Sequence, residues 1–185
     1  MSYKENESLS DEELFERISR NGDSPAFAVL IERYKDKLFN FICRMIRDDA
    51  QAEDILQEAF IKVYRERAKA YRINNFGAWL YTIARNLTTD ELRRRKRRVV
   101  LPIEVAKIST DASNSFDDEI LLKKKIEDTL ETLNFKYREV FILRDINGLS
   151  YREIAKILKT RVGTVKSRLN RARLMMREKL EPFLK

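Results

Sequence analysis

The side chains of this sequence that could do chemistry fall into three groups, and their types limit what that chemistry can be. Histidine is absent and Cys43 is the only cysteine. Neither a Cys/His metal site nor an intramolecular disulfide is therefore available. Cys43 sits among Phe41, Ile42 and Met45 and reads as a buried, inert thiol. The carboxylates gather between Arg47 and Glu58, where five acidic residues stand against one basic residue. Paired carboxylates can serve acid–base catalysis or hold a cation. Here no histidine and no glycine-rich phosphate loop accompanies them, and Glu53, Asp54, Gln57 and Glu58 fall on the solvent side of an amphipathic helix. Taken alone they form a solvated acidic helix face, and the expectation is no enzyme, no metal, no cofactor and no small-molecule substrate. The third group is basic. Arg85 to Arg98 holds seven basic and two acidic residues, and Lys159 to Lys185 holds nine and two. A net charge of +8 and a pI near 9.6 point to a polyanionic partner, either nucleic acid or an anionic membrane surface.

These groups need a scaffold, and the composition favours helices. Four glycines and three prolines are too few for a turn-rich β architecture. Charged residues at 37% suit solvated helix faces, so the fold class expected is all-α. Asp11 to Arg20 reads as a helix stopped by Asn21-Gly22. Ser24 then serves as N-cap with Pro25 at the first helical position. The helix that follows carries Phe27, Leu30, Ile31, Tyr34, Leu38, Phe41, Ile42 and Met45 at three- and four-residue steps. Asp48 or Asp49 caps a third helix, with Ile55, Leu56, Ala59, Phe60 and Val63 on one face. Asn74 or Asn75 opens a fourth, striped by Phe76, Trp79, Leu80, Ile83, Ala84 and Leu87, which runs out into Arg93-Arg94-Arg95-Lys96-Arg97-Arg98. The pattern lapses at residues 99–118, which Pro102 and the polar tract Ser109 to Ser115 mark as a linker. The chain thus divides into a helical block at 1–98, the linker, and a second helical block at 119–185.

In the second block Ile120 to Leu133 and Lys136 to Ile146 read as helices, the latter closed by Asn147-Gly148. Ser150-Tyr151-Arg152-Glu153 has the form of a capping box. The helix it starts carries Ile154, Ala155, Ile157 and Leu158, and breaks at Lys159-Thr160-Arg161. A basic helix follows, on which Val162, Val165, Leu169 and Ala172 can face inward while Lys166, Ser167, Asn170 and Arg171 lie outward. A short helix, a tight turn and a basic helix make a helix-turn-helix, whose outward side chains suit phosphates and base edges. Taken alone, the same pattern also fits a two-helix hairpin with a solvated basic face.

The wording of these segments is more specific than their pattern. Gly148-Leu149-Ser150-Tyr151-Arg152-Glu153-Ile154-Ala155, then Val162-Gly163-Thr164-Val165-Lys166-Ser167-Arg168 and Arg171-Ala172-Arg173, resembles region four of the extracytoplasmic-function (ECF) sigma factors. Ala52-Glu53-Asp54-Ile55-Leu56-Gln57-Glu58-Ala59-Phe60 is similar to the part of their region two that docks on the β′ clamp helices of RNA polymerase. Phe76 to Leu87, with Asp90 and Arg93 to Arg98, looks like their −10 recognition and melting segment. Three positions depart from the family's habit: Arg161 and Asn134 stand where proline is usual, and Asn170 where histidine or an aromatic is common.

The resemblance implies the minimal two-domain form of a sigma factor, region two at 1–98 and region four at 119–185. It implies that Arg161, Thr164, Lys166, Ser167, Arg168, Asn170 and Arg171 meet the −35 element. It assigns the −10 element to Asn74, Asn75, Tyr81, Asn86, Arg93, Arg94 and Arg97, and polymerase docking to Glu53, Asp54, Gln57 and Glu58. Among the aromatics, Tyr71, Phe76, Trp79 and Tyr81 could stack an extruded base, although Phe76 and Trp79 lie on the core stripe. The partners implied are core RNA polymerase (the β′ clamp helices and β), promoter DNA and an anti-sigma factor. A polar, acidic N-terminus and the lack of an apolar run near the roughly 20 residues a bilayer requires lead us to expect a cytoplasmic protein without membrane insertion. The rival reading is a helix-turn-helix regulator that binds DNA alone as a dimer, for which the sequence offers no dimerisation heptad and no use for the acidic ridge.

Overall fold

The computed structural model describes residues 6–68, 73–98 and 118–183. Tyr71 and the polar linker tract lie outside the described residues. Among those described, the regular structure is helical throughout.

Helix α1 (Asp11–Asn21) starts at a capping box, with the Ser10 side chain accepting from the Glu13 N–H and Glu13 from that of Ser10. It ends at Gly22, whose φ of 64° is the left-handed conformation that suits glycine. Helix α2 (Ser24–Ile46) has Asp23 as its N-cap, accepting from the Ala26 N–H, with Pro25 in the first turn. The cap therefore lies one residue before the expected Ser24, because the Asp23 carboxylate reaches the free N–H two positions past the serine. Helix α3 (Asp49–Glu66) is capped by Asp48 through the Gln51 N–H. Helix α4 (Phe76–Arg98) begins beneath Asn75, whose Oδ1 accepts from the Ala78 N–H at 2.6 Å.

An aromatic cluster fixes where α4 enters the bundle. Phe76 is fully buried, with ring centroids 5.2 Å from Phe15, 5.5 Å from Tyr34 and 6.3 Å from Trp79. Burying one such side chain is worth about 1.5–3 kcal/mol. Gly77 lets α4 approach α2, since a Cβ there would sit 2.7 Å from the Tyr34 hydroxyl oxygen. That hydroxyl donates to Asp11.

The C-terminal block comprises α5 (Asp118–Thr132), α6 (Phe135–Phe141) continued by a π-helical turn at Ile142–Ile146, α7 (Tyr151–Ile157) and α8 (Val162–Leu180). Val140, Ile142, Leu143, Ile154, Ile157, Val165 and Leu169 are fully buried. They belong to the same apolar cluster as the core of α1–α4, so the two blocks pack against each other. A smaller cluster of Leu130, Leu133, Ala172 and Met176 joins α5 to the distal part of α8. No helix among the described residues is long and apolar enough to cross a membrane.

A candidate nucleic-acid interface and a docking ridge

The helix-turn-helix is built from α7 and α8. Ser150 caps α7 in the expected box: its N–H donates to the Glu153 carboxylate at 2.8 Å, and its Oγ accepts from the Glu153 N–H at 3.3 Å. Lys159 turns the chain with a left-handed φ of 48°, and the Thr160 N–H closes the turn on the Ala155 carbonyl at 2.9 Å. Arg161 is the extended N-cap of α8, with no side-chain cap bond. On α8, Val165, Leu169, Ala172 and Met176 are buried, while Lys166, Ser167, Asn170 and Arg171 are exposed. Val162, expected to face inward, is 36% exposed, because it lies in the first turn, beyond the edge of the buried face. Arg161 is exposed too, and Thr164 and Arg168 are half-buried. Arg173 fixes α8 on the preceding turn through a two-pronged ion pair with Asp145 at 2.5 and 2.9 Å. Such bidentate pairing sets orientation as well as energy.

The seven residues assigned to the −10 element divide in two. Asn74, Asn86, Arg93, Arg94 and Arg97 are exposed; Arg93 pairs with Asp90 and Arg94 with Glu91, each at 3.2 Å. Arg95 instead turns back to Asp48 at 2.8 Å, tying the basic end of α4 to the start of α3. Asn75 is occupied at both ends, since beyond its cap to α4 its Nδ2 donates to Glu153 at 3.2 Å. Tyr81 is 2% exposed, with its ring 5.7 Å from that of Phe41. Its hydroxyl accepts from Asn147 at 2.9 Å, and burial pushes that hydroxyl up to about 12. In this arrangement neither Asn75 nor Tyr81 is open to a base.

On α3 the buried residues are Ala52, Ile55, Ala59, Phe60 and Val63. Glu53, Asp54, Gln57 and Glu58 are all exposed, so the acidic ridge forms as expected. Beside it lies an open apolar hollow of about 590 Å³ between α2 and α3, lined by Phe27, Ile31, Leu56, Phe60, Ile61 and Tyr64, with Gln57 at its margin. Ile61 stands 49% exposed there. This hollow was missed in the sequence, where Ile61 falls off the counted stripe; an isoleucine outside a helix's apolar face is the signal that could have found it. Also missed was Glu139, 2% exposed and bonded to Arg85 at 2.7 Å. It sits four residues after Phe135 and four before Leu143, on the apolar face of its helix, where a carboxylate needs a partner.

Comparison with known proteins bears on the whole chain. Residues 30–98 match Sigma-70 region 2, and residues 123–176 match Sigma-70, region 4. The ECF RNA polymerase sigma factor SigW of Bacillus subtilis is 39% identical over 173 residues, which cover 87% of this chain and 92% of that relative. The ECF RNA polymerase sigma-E factor of Escherichia coli strain K12 is 34% identical, covering 97% and 98%. The chain belongs to the ECF sigma factor family. Its function is that of a sigma factor, a transcription initiation factor. Among solved structures, the sigma factor RpoE in complex with the anti-sigma factor NepR from Bartonella quintana superposes with a TM-score of 0.69 at 29% identity, covering 84% of this sigma factor and 96% of that chain. CnrH in complex with the cytosolic domain of CnrY shares the fold, with a TM-score of 0.71 at 23% identity, covering 94% and 99%.

Proposed function

We propose that this sigma factor works through three surfaces, one on α3 and its neighbour α2, one on α4 and one on α8. The ridge Glu53, Asp54, Gln57 and Glu58, extended by the apolar hollow around Ile61, docks on the clamp helices of core RNA polymerase. Complementary charge mainly sets orientation and encounter rate, while the desolvated apolar part holds the complex. The exposed side of α4, with Asn86 for a base and Arg93, Arg94 and Arg97 for phosphates, takes the −10 element. The outward side of α8, with Arg161, Thr164, Lys166, Ser167, Arg168, Asn170 and Arg171, takes the −35 element, and β supports that block on the polymerase. Residues 1–98 and 119–185 are the two domains, joined by 99–118. Two contacts on one tether reinforce each other through effective concentration, so each can be weak alone. The protein works in the cytoplasm, carries out no chemical step of its own, and is held in check by an anti-sigma factor.

One observation carries this reading. Of the residues that the family resemblance directs at the −35 element, Arg161, Lys166, Ser167, Asn170 and Arg171 are exposed at the start and along one side of α8, with Thr164 and Arg168 half-buried beside them, while the opposite side is buried against its scaffold. The sigma-factor relatives and the matches to regions 2 and 4 support it. The rival dimeric regulator leaves the acidic ridge without use. Affinity of the purified chain for core polymerase tests the docking assignment. Asp54→Ala combined with Glu58→Arg should weaken it at least tenfold, and Lys166→Ala with Arg171→Ala should leave it unchanged. Equal binding by wild type and the docking variant would move the docking surface elsewhere.

A further inference from the structure

Tyr151 is the first residue of α7, and three basic side chains converge on it. The Arg144 guanidinium carbon lies 4.9 Å from its ring centroid and the Lys166 ammonium nitrogen 5.7 Å. Asp145 first, and Tyr151 after it, hold the Arg173 guanidinium above its ordinary range. Arg144 belongs to the π-helical turn before α7, whereas Lys166 and Arg173 stand on α8. Those two are seven residues apart, almost two full turns, so they share one side of that helix. The Tyr151 side chain therefore spans the junction of the turn, α7 and α8.

Most parts of this junction are anchored. The capping box of Ser150 and Glu153 sets the backbone at Tyr151, and its side chain is half-buried against the main apolar cluster. Arg144 is tied through Nη1 to the Leu149 carbonyl at 2.9 Å. Arg173 is clamped by both oxygens of Asp145. Lys166 is the exception, exposed and lying over the ring. A lysine carries its charge on a flexible stem, and ordering that stem on DNA costs entropy. A fixed aromatic face attracts the ammonium and narrows its directions before DNA arrives, which lowers the ordering cost at binding. The fold of α7 does not itself call for an aromatic here, because its cap is complete and Ile154, Ala155 and Ile157 supply its buried face.

We propose that Tyr151 is a positioning residue of the −35 surface: its ring, fixed by Arg144 and by the start of α7, aims Lys166 of α8 at the DNA. This rests on the assignment of Lys166 to the −35 element. Tyr151 acts through Lys166, and the ring face does so, while the hydroxyl serves the Arg173 side of the junction. The two residues are 15 apart on separate helices, so neither helical stripe couples them.

The test is a double-mutant cycle in the holoenzyme, read as transcript yield at limiting sigma factor on a promoter fragment recovered by run-off with the wild type. Tyr151→Leu should lower the yield about two- to fivefold, the size of an exposed cation–π contact, with helicity and affinity for core polymerase unchanged. Tyr151→Phe, which keeps the ring, should recover at least half of the wild-type yield. On a Lys166→Ala background, Tyr151→Leu should cost nothing further. On Arg171→Ala, whose side chain projects from another side of α8, it should cost its full factor. A full loss in both backgrounds, or no loss in the wild type, overturns the positioning role and leaves the −35 assignment standing. Lys166→Ala that transcribes like wild type sinks that assignment, and the positioning role with it. Should Tyr151→Leu lose helicity, proton NMR of the wild type with isotope-labelled lysine decides. The Lys166 methylene beside the ammonium, identified by its absence from Lys166→Ala, should resonate upfield of the other lysines through the ring current. A resonance among the others would place the ammonium away from the ring and overturn the role.

Discussion

Single side chains differ in how openly the sequence displays what they do. Lys166 and Arg171 are exposed on α8, and each good contact from such a residue to a base edge is worth about 1–3 kcal/mol. Lys166→Ala or Arg171→Ala should accordingly lower transcription from a cognate promoter by roughly five- to a hundredfold, measured as transcript yield at limiting sigma factor. A yield within a factor of two of wild type for both would remove them from the −35 contact. Cys43 presents the opposite case. Its thiol donates to Asp49 at 3.0 Å, and burial first, then that bond, pushes it up to about 12, well above the ~8.5 of a free thiol. It stays protonated at neutral pH, so iodoacetamide should modify it at least tenfold more slowly in the folded protein than in urea; comparable rates would contradict its placement. The basic outward face of α8 could be read from local spacing, whereas Cys43, expected to be buried, is only half-buried because it lines an open hollow between α2 and α5. Glu139 could not be matched to Arg85, because the partners lie 54 residues apart and no local pattern couples them.

At the scale of elements, capping chemistry was legible because a cap depends on three or four consecutive residues. Ser150 and Glu153 form the box their spacing announced, and Asp48 caps α3. Ser150→Ala should cost about 1 kcal/mol of stability, seen as a lower urea midpoint at unchanged slope, while affinity for core polymerase is kept. Asp48 gives a pH test. The Gln51 N–H first, and then Arg95, hold its carboxyl below the ordinary carboxylate range. Its charged form thus stabilises the fold above the ordinary carboxylate pKa of ~3.9, and that contribution is lost as pH falls through the lowered value. The stability difference between wild type and Asp48→Asn should be present at pH 6 and shrink as the pH falls below the ordinary carboxylate range. A difference that grows in acid would reverse the sign assigned here. Element edges were less legible. Asp23 displaced Ser24 as cap because both are good caps and only tertiary geometry chooses between them. Val162 emerged on the surface because a stripe of inward positions does not reveal how far the neighbouring helix extends.

Across the whole molecule, the all-α architecture of the helices before Arg98 and after Asp118 followed from periodicity and composition. Their contact did not, since it is made by pairs such as Arg44–Glu127 and Asn147–Lys37, separated by 83 and 110 residues. That contact leaves Glu53, Asp54, Gln57 and Glu58 exposed while it engages Asn75 and Tyr81 at the start of α4. Basic residues dominate the end of α4 and the exposed side of α8, so DNA binding should weaken steeply with salt through counterion release. The salt dependence should be shallower for Arg97→Ala, by about one unit of slope on a log–log plot. The most direct measurement is run-off transcription with purified bacterial core polymerase, with and without this protein, on fragments of the source genome. Discrete, promoter-dependent transcripts that vanish with Asp54→Ala plus Glu58→Arg are the result predicted. No transcripts from folded protein with active core, together with tight sequence-specific binding of duplex DNA by the chain alone as a dimer, would contradict it.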